Sequence, residues 1–314
     1  MAAYLSTREA YGKALATLGD KYDFFVLDAD LAKATQTAVF KAKYPQRFFD
    51  VGISEGDMMS TAAGMATCGK TVFASTFAMF AAGRAYEQIR NSIAYPHLHV
   101  IIGATHGGVM IGEDGASHQC IEDISLMRTI PNMTVLVPCD EKSVFAAVEA
   151  AIQQDGPVYL RMGRTSSPPV YTQSVDFTIG KGNVLADGKD VAVFAVGDMV
   201  YEALEARKQL AQHGVDAAVI DMHTVKPLDK ALVSHYAEKC GVLITAEDHN
   251  IIGGLGSAVA EVLSESTPAK LIRVGVKDCF GHSGKREDLQ KYFGLNAQGI
   301  VDAYLNATGG CAQS

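Results

Sequence analysis

Several absences narrow what this chain can be. It has no Cys-x-x-Cys pair, no Lys/Arg block and no uninterrupted apolar run near the roughly 18 residues of a membrane span. Its cysteines (Cys68, Cys120, Cys139, Cys240, Cys279 and Cys311) are scattered, which argues against a zinc knuckle, a dithiol redox site or a disulfide framework. A net charge of -8 without a basic cluster speaks against a nucleic-acid or anionic-membrane surface. Residues 1–8 lack both the basic opening and the apolar stretch of a secretory signal, so a cytoplasmic location is expected. Small molecules and other protein chains are left as partners.

What is present reads as α/β. At 314 residues and 48% hydrophobic, the chain is long enough for two cored domains. Apolar runs at 24–30, 48–53, 71–74, 98–103, 135–137 and 158–161 alternate with helical stretches, one of them running through Arg90. After a Pro- and Ser-rich connection at 164–182, strands at 191–196, 217–221, 242–246 and 271–276 alternate with helices at 200–213, 230–239 and after Gly254. Continuous apolar strands between helices predict two parallel or mostly parallel sheets covered on both faces. The expected units are residues 1–166, a linker at 167–184, and residues 185–314. Ligands of such sheets bind at the C-terminal strand ends.

Four features there carry chemistry. Glu55 stands between Gly52 and Gly56 at a helix start, where an acid is either a capping carboxylate or a catalytic one. Residues 105–119 follow a strand and hold His106, Asp114, His118 and four glycines. That loop suits contacts to a hydroxylated or phosphorylated substrate, a structural role, or a metal. Phe77 and Phe80, read as three apart at a helix start, share a face that is either core or a platform for a cofactor. Arg161 and Arg164 suit a phosphate or a salt bridge between domains. The glycines at 253–256 lack dinucleotide-loop spacing and read as a tight strand-to-helix turn packed at an interface.

In order along the chain come Thr7-Arg8, Asp28-Ala29-Asp30-Leu31, Gly52-Ile53-Ser54-Glu55, Thr76-Phe77 with Phe80, and Thr105-His106. Gly112-Glu113-Asp114-Gly115-x-x-His118-Gln119, a segment from Pro131-Asn132 to Pro138, Arg164, and Glu247-Asp248-His249 with Gly253-Gly254-Leu255-Gly256 follow. The set resembles the C-terminal half of the transketolase family of thiamine-diphosphate enzymes, over nearly the whole chain. The Gly-Glu-Asp-Gly-x-x-His-Gln run is the most specific piece.

The resemblance implies roles by position. Glu55 would hydrogen-bond the pyrimidine nitrogen of thiamine diphosphate and so activate the thiazolium carbon, Phe77 and Phe80 would stack on the pyrimidine, and Asp30 would lie near the thiazolium. His106, Asp114 and His118 would bind the ketose hydroxyls, the histidines assisting proton transfer, while Arg8 and Arg164 would hold the substrate phosphate. Ala34, with Thr35 adjacent, falls where the family has a serine near that phosphate, and Gly56 where transketolases often carry a histidine. The run Arg84-Ala85-Tyr86-Glu87-Gln88 is closer to the deoxyxylulose-phosphate synthase branch.

The family's Gly-Asp-Gly motif and downstream Asn for the diphosphate and its divalent metal are absent. The resemblance therefore implies the C-terminal subunit of a split transketolase. An N-terminal diphosphate-binding subunit would carry the Mg or Ca ion, with two copies of each chain and homodimerisation of this one. The reaction implied is transfer of a two-carbon ketol unit from a ketose phosphate to an aldose phosphate, as in pentose phosphate metabolism. Two rivals stand beside it: the beta subunit of a 2-oxo acid dehydrogenase decarboxylase, against which the sugar-type loop argues, and a non-catalytic scaffolding subunit, against which the joint presence of Glu55, His106, Asp114 and His118 argues.

Overall fold

The computed structural model describes residues 4–309. Helix α1 (Thr7–Leu18) starts at a capping box in which Ser6 accepts from the Glu9 N–H and the Glu9 side chain reaches back to Ser6. Then come β1 (Phe24–Asp28), α2 (Ala32–Thr35), α3 (Ala38–Lys43), β2 (Phe48–Asp50), α4 (Glu55–Thr67) and β3 (Thr71–Phe77). Two π-helical turns, Phe80–Arg84 and Ile89–Ala94, flank α5 (Tyr86–Gln88) before β4 (Val100–Thr105). The first half closes with α6 (Asp123–Thr129), β5 (Thr134–Leu136), α7 (Glu141–Gln153) and β6 (Val158–Arg161). The second half runs β7 (Asn183–Ala186), β8 (Val191–Ala195), α8 (Met199–Gln212), β9 (Ala217–Asp221), β10 (Thr224–Lys226), α9 (Lys230–Cys240), β11 (Val242–Asn250), α10 (Leu255–Glu265), β12 (Lys270–Val276), α11 (Arg286–Phe293) and α12 (Ala297–Thr308).

Two mostly parallel sheets result. The seven-stranded sheet has the order β10-β5-β6-β4-β3-β1-β2 and the five-stranded one β12-β11-β8-β9-β7. Among the described residues only the edge strands β10 and β7 run antiparallel to their neighbours. Both escape the sequence reading because they are short and their burial is incomplete, so neither shows a continuous apolar run. Strand β10 belongs to the second half of the chain yet pairs with β5, and Val137 donates to the His223 carbonyl at 2.8 Å beside it. A single buried cluster accordingly runs from Met58 and Ile89 through Val135 and Val225 to Val259.

The helix expected through Arg90 is instead a strand to Phe77, followed by helical turns wound partly in π geometry. Strands β3 and β4 are buried along almost their whole length, as central strands covered on both faces must be. Because β1, β3, β4 and β6 are parallel, their C-terminal ends lie along one edge. Among the described residues no helix is long and apolar enough to cross a membrane.

Candidate active site

Glu55 opens α4, but no backbone N–H among the described residues donates to its side chain, so the capping role does not describe it. Its side chain is only 5% exposed, and Oε1 accepts from Arg84 Nη1 at 3.1 Å. Arg84 comes from the first π-helical turn, a geometry that places functional groups off the regular helical register. Its Cζ lies 4.1 Å from the Phe80 ring centroid, so one guanidinium joins the acid to an aromatic face. The four-residue spacing of Phe80 and Arg84 was the only sequence signal for that contact.

From Phe80 the contacts continue. Phe77 ends β3 and Phe80 begins the π-helical turn, so they do not share a face of one helix; nevertheless their rings stack at 5.4 Å and 19°. Phe77 stacks in turn on the His106 ring at 3.7 Å, and His118 stands edge-on to Phe80 at 5.3 Å. Two buried acceptors nearby in sequence, Thr76 Oγ1 and Gln88 Oε1, have no hydrogen-bond partner among the described residues. Gln88 packs beside Gly56, immediately after Glu55. A buried carboxylate, a partly open aromatic stack and unpartnered acceptors suit an aminopyrimidine ring.

His106 is buried and holds φ 62°, a left-handed backbone that a side chain rarely adopts. Burial, then the positive charges of Arg8, Arg164 and His118, push its imidazole down to about 3, so it is neutral at physiological pH. One ring nitrogen lies 2.8 Å from Thr105 Oγ1. Asp114, on the outer part of the loop, accepts from Arg164 at 3.3 Å, and Arg164 also donates to the Ile111 carbonyl at 2.7 Å. Arg8 donates to the carbonyls of Arg164 and Ala34, each at 3.0 Å. Burial and then the Arg164 charge lower its pKa. Both arginines line a cavity of about 600 Å³ together with Lys285 and Arg286, and with Glu9, Glu113 and Glu287 also on its wall.

The structure separates residues that the sequence left together. Arg161 is a buried pillar, donating to Asp123 at 2.8 Å and to the Asp248 carbonyl at 2.8 Å, so only Arg164 faces the cavity. Thr35 is spent internally, donating to the buried Asp28 at 2.7 Å. Asp30 follows β1 on the same sheet edge but is exposed, and its N–H donates to Asp50 at 3.0 Å. The 253–256 turn does lie against the first half: Arg128 donates to the Gly253 carbonyl at 2.7 Å, and buried Glu247 accepts from the Leu255 and Gly256 N–H groups at the start of α10. Among the described residues no three His, Cys, Asp or Glu side chains converge as a metal site.

Residues 3–169 match the family model described as the pyrimidine binding domain of transketolase, and residues 180–300 match that of the transketolase C-terminal domain. The chain belongs to the transketolase family. Membership implies dependence on thiamine diphosphate. A putative transketolase C-terminal section from Methanocaldococcus jannaschii is 48% identical over 302 residues, covering 95% of each chain. A 6-deoxy-6-sulfo-D-fructose transketolase subunit from a Clostridium species is 42% identical, covering 96% of this chain and 94% of its own. A solved structure described as a split gene transketolase, inactive beta4 tetramer, superposes with a TM-score of 0.90 at 49% identity, over 98% of this chain and 99% of its own.

Proposed function

We propose that this chain is the C-terminal subunit of a split thiamine-diphosphate-dependent transketolase, moving a two-carbon ketol unit from a ketose phosphate to an aldose phosphate. The observation that carries the reading is the unbroken contact series Glu55–Arg84–Phe80–Phe77–His106, which sets a buried acid and two sugar-type histidines around one aromatic stack. Residues 1–166 form the pyrimidine-binding unit, 167–184 the linker and 185–314 the C-terminal unit.

In this reading Glu55 holds a ring nitrogen of the cofactor, and Phe77 and Phe80 pack its pyrimidine face. Bound thiamine diphosphate supplies a carbon nucleophile that can hold the electron pair left when the ketose C–C bond breaks. Neutral His106 accepts or donates hydrogen bonds at the ketose oxygens without a charge of its own to desolvate, and His118, at the other side of the stack, moves a proton to or from a substrate hydroxyl. Asp114 orients a further hydroxyl. Arg8 and Arg164 bind the terminal phosphate, with Lys285 at the rim. Asp30 would be the acid near the thiazolium when the cofactor is bound.

A second chain is part of the proposal. This sequence has no Gly-Asp-Gly motif for the diphosphate and its Mg or Ca ion, and two similar proteins are described as a C-terminal section and as an inactive beta4 tetramer. We therefore expect an N-terminal diphosphate-binding subunit, two copies of each chain and a cytoplasmic location. The Clostridium relative is named for a sulfonated sugar, and the same arginines suit a sulfonate as well as a phosphate.

The test is co-expression with a diphosphate-binding transketolase subunit from the same genome, followed by assays with xylulose 5-phosphate plus ribose 5-phosphate, with 6-deoxy-6-sulfofructose, and with pyruvate. Turnover of a sugar by the complex and none by this chain alone is expected. Turnover of pyruvate alone would transfer the chain to the 2-oxo acid decarboxylases, and strong activity of the single chain would end the split-enzyme reading.

A further inference from the structure

The loop that carries the candidate sugar-binding residues belongs to the first half of the chain, yet it is fastened by the second. Asp248, near the end of β11, is buried, and its two carboxylate oxygens accept from the Val109 N–H at 2.8 Å and the Met110 N–H at 3.1 Å. Gly108, at φ 87°, lies so close that a Cβ there would overlap this carboxylate. Five residues on from Gly108, the Glu113 carbonyl accepts from Ser283 Oγ at 2.7 Å. At the far end, Gln119 Nε2 donates to the His282 carbonyl at 3.0 Å and back to the Val109 carbonyl at 3.0 Å. Gly281 is pressed against Gln119 where no side chain would fit.

Each fastening point stands within three residues of a candidate sugar contact. Val109 is three residues after His106, Glu113 precedes Asp114, and Gln119 follows His118. Asp248 is itself held from below, its carbonyl accepting from the buried Arg161, which is paired with Asp123. A carboxylate that satisfies two consecutive N–H groups fixes the direction of that peptide unit far more tightly than packing alone. The first half supplies ties of its own, Arg164 to the Ile111 carbonyl at 2.7 Å and the Gly108 N–H to the Cys120 carbonyl at 2.7 Å, but among the described residues none reaches the Val109 and Met110 N–H groups, and four glycines give the loop a wide choice of backbone conformations.

We infer that the C-terminal domain is the template for the sugar-binding loop, with Asp248 as the principal positioning residue and Ser283 as a second. Neither touches substrate. Both act through the backbone of residues 109–113 on where His106, Asp114 and His118 stand. The inference about sugar affinity rests on the function proposed above, whereas the fastening itself does not.

Hydrogen exchange on the full chain separates the two. In Asp248→Asn one of the paired acceptor oxygens becomes an amide donor, so exchange at Val109 and Met110 should rise about tenfold while β8 and β9 keep their wild-type protection. In the assembled complex the same variant should raise the ketose-phosphate KM about tenfold and leave the half-saturating thiamine diphosphate concentration within about twofold, a split that general destabilisation would not produce. Ser283→Ala, at an exposed serine, should loosen residues 113–118 in the same manner and carries the test if Asp248→Asn does not fold. Wild-type exchange at 109–118 in whichever of these variants folds overturns the inference. Faster exchange in a complex whose wild type has no sugar affinity leaves the fastening standing and removes the substrate reading instead.

Discussion

Arg84 Nη1 lies 3.1 Å from Glu55 Oε1 while its guanidinium carbon lies 4.1 Å from the centroid of the Phe80 ring, so one side chain engages both the acid and the aromatic face proposed for the pyrimidine. The guanidinium is a competitor for the same carboxylate. In Arg84→Met the apolar stem keeps its place over Phe80 and the competition ends. Because the arginine is half exposed, the pair is worth only about 0.5–1 kcal/mol. Thiamine diphosphate should therefore bind the complex up to about fivefold more tightly by fluorescence titration, and weaker binding would mean that Arg84 supports the cofactor rather than blocks it.

Glu55→Gln preserves shape and removes the acid. The complex should still take up the cofactor, while ketol transfer drops by about 10²-fold or more, the usual scale for loss of an acid–base group. Near-normal steady-state rates would refute the role given to Glu55.

Substrate charge should be read at the 600 Å³ cavity. Arg164→Ala removes a phosphate contact together with the hydrogen bonds to Ile111 and Asp114, so the KM for xylulose 5-phosphate should rise about tenfold to a hundredfold. Lys285 is exposed and has no ion pair among the described residues, so Lys285→Ala should raise that KM only about threefold and leave the melting temperature unchanged. Lys285→Ala should leave kinetics with unphosphorylated xylulose unaltered, and a matching rise there would show that the cavity does not read the phosphate.

Buried groups of opposite type make stability nearly independent of pH over a definable window. Burial lowers His106 to about 3 and His223 and His249 to about 4. Each withholds a proton that the unfolded chain binds below pH 6.5, so their contribution is present above 6.5 and is lost as pH falls toward 3–4. Burial raises Asp221 and Glu247 to about 7 and Asp248 to about 6. These bind protons that the unfolded chain releases above about 4, so their contribution is full below that pH and is lost as pH rises through 6–7. Between pH 4.5 and 6 the two sets oppose each other, and the melting temperature measured by calorimetry should change by only a few degrees. His223→Asn removes one member of the first set and should make the melting temperature rise as pH falls through that window; a falling profile would count against the assignment.

The parts that could be read from sequence are those where burial leaves a pattern. Strands β6 and β9 are buried along their whole length, apolar up to the closing Arg161 and Asp221, and lie where the alternation puts them, residue for residue. Strands β7 and β10 sit at sheet edges, so exposure dilutes the pattern, and the π-helical turns around α5 differ from an α-helix only in hydrogen-bond register. In the site, chain-local features such as the 105–119 loop were readable. The partners that give them geometry were not: Arg84 is 29 residues from Glu55, Asp248 is 139 from Val109, and nothing local marks Arg161 as internal and Arg164 as facing the cavity.

Strand β10 has a further consequence for how the polypeptide can be divided. Thr224–Lys226 caps the β5 edge of the seven-stranded sheet from the far side of the connection. A fragment cut in the 167–184 stretch would leave β5 with a bare row of N–H and C=O groups, a ready template for pairing with another chain. Gene fission within this chain would therefore release an aggregation-prone half.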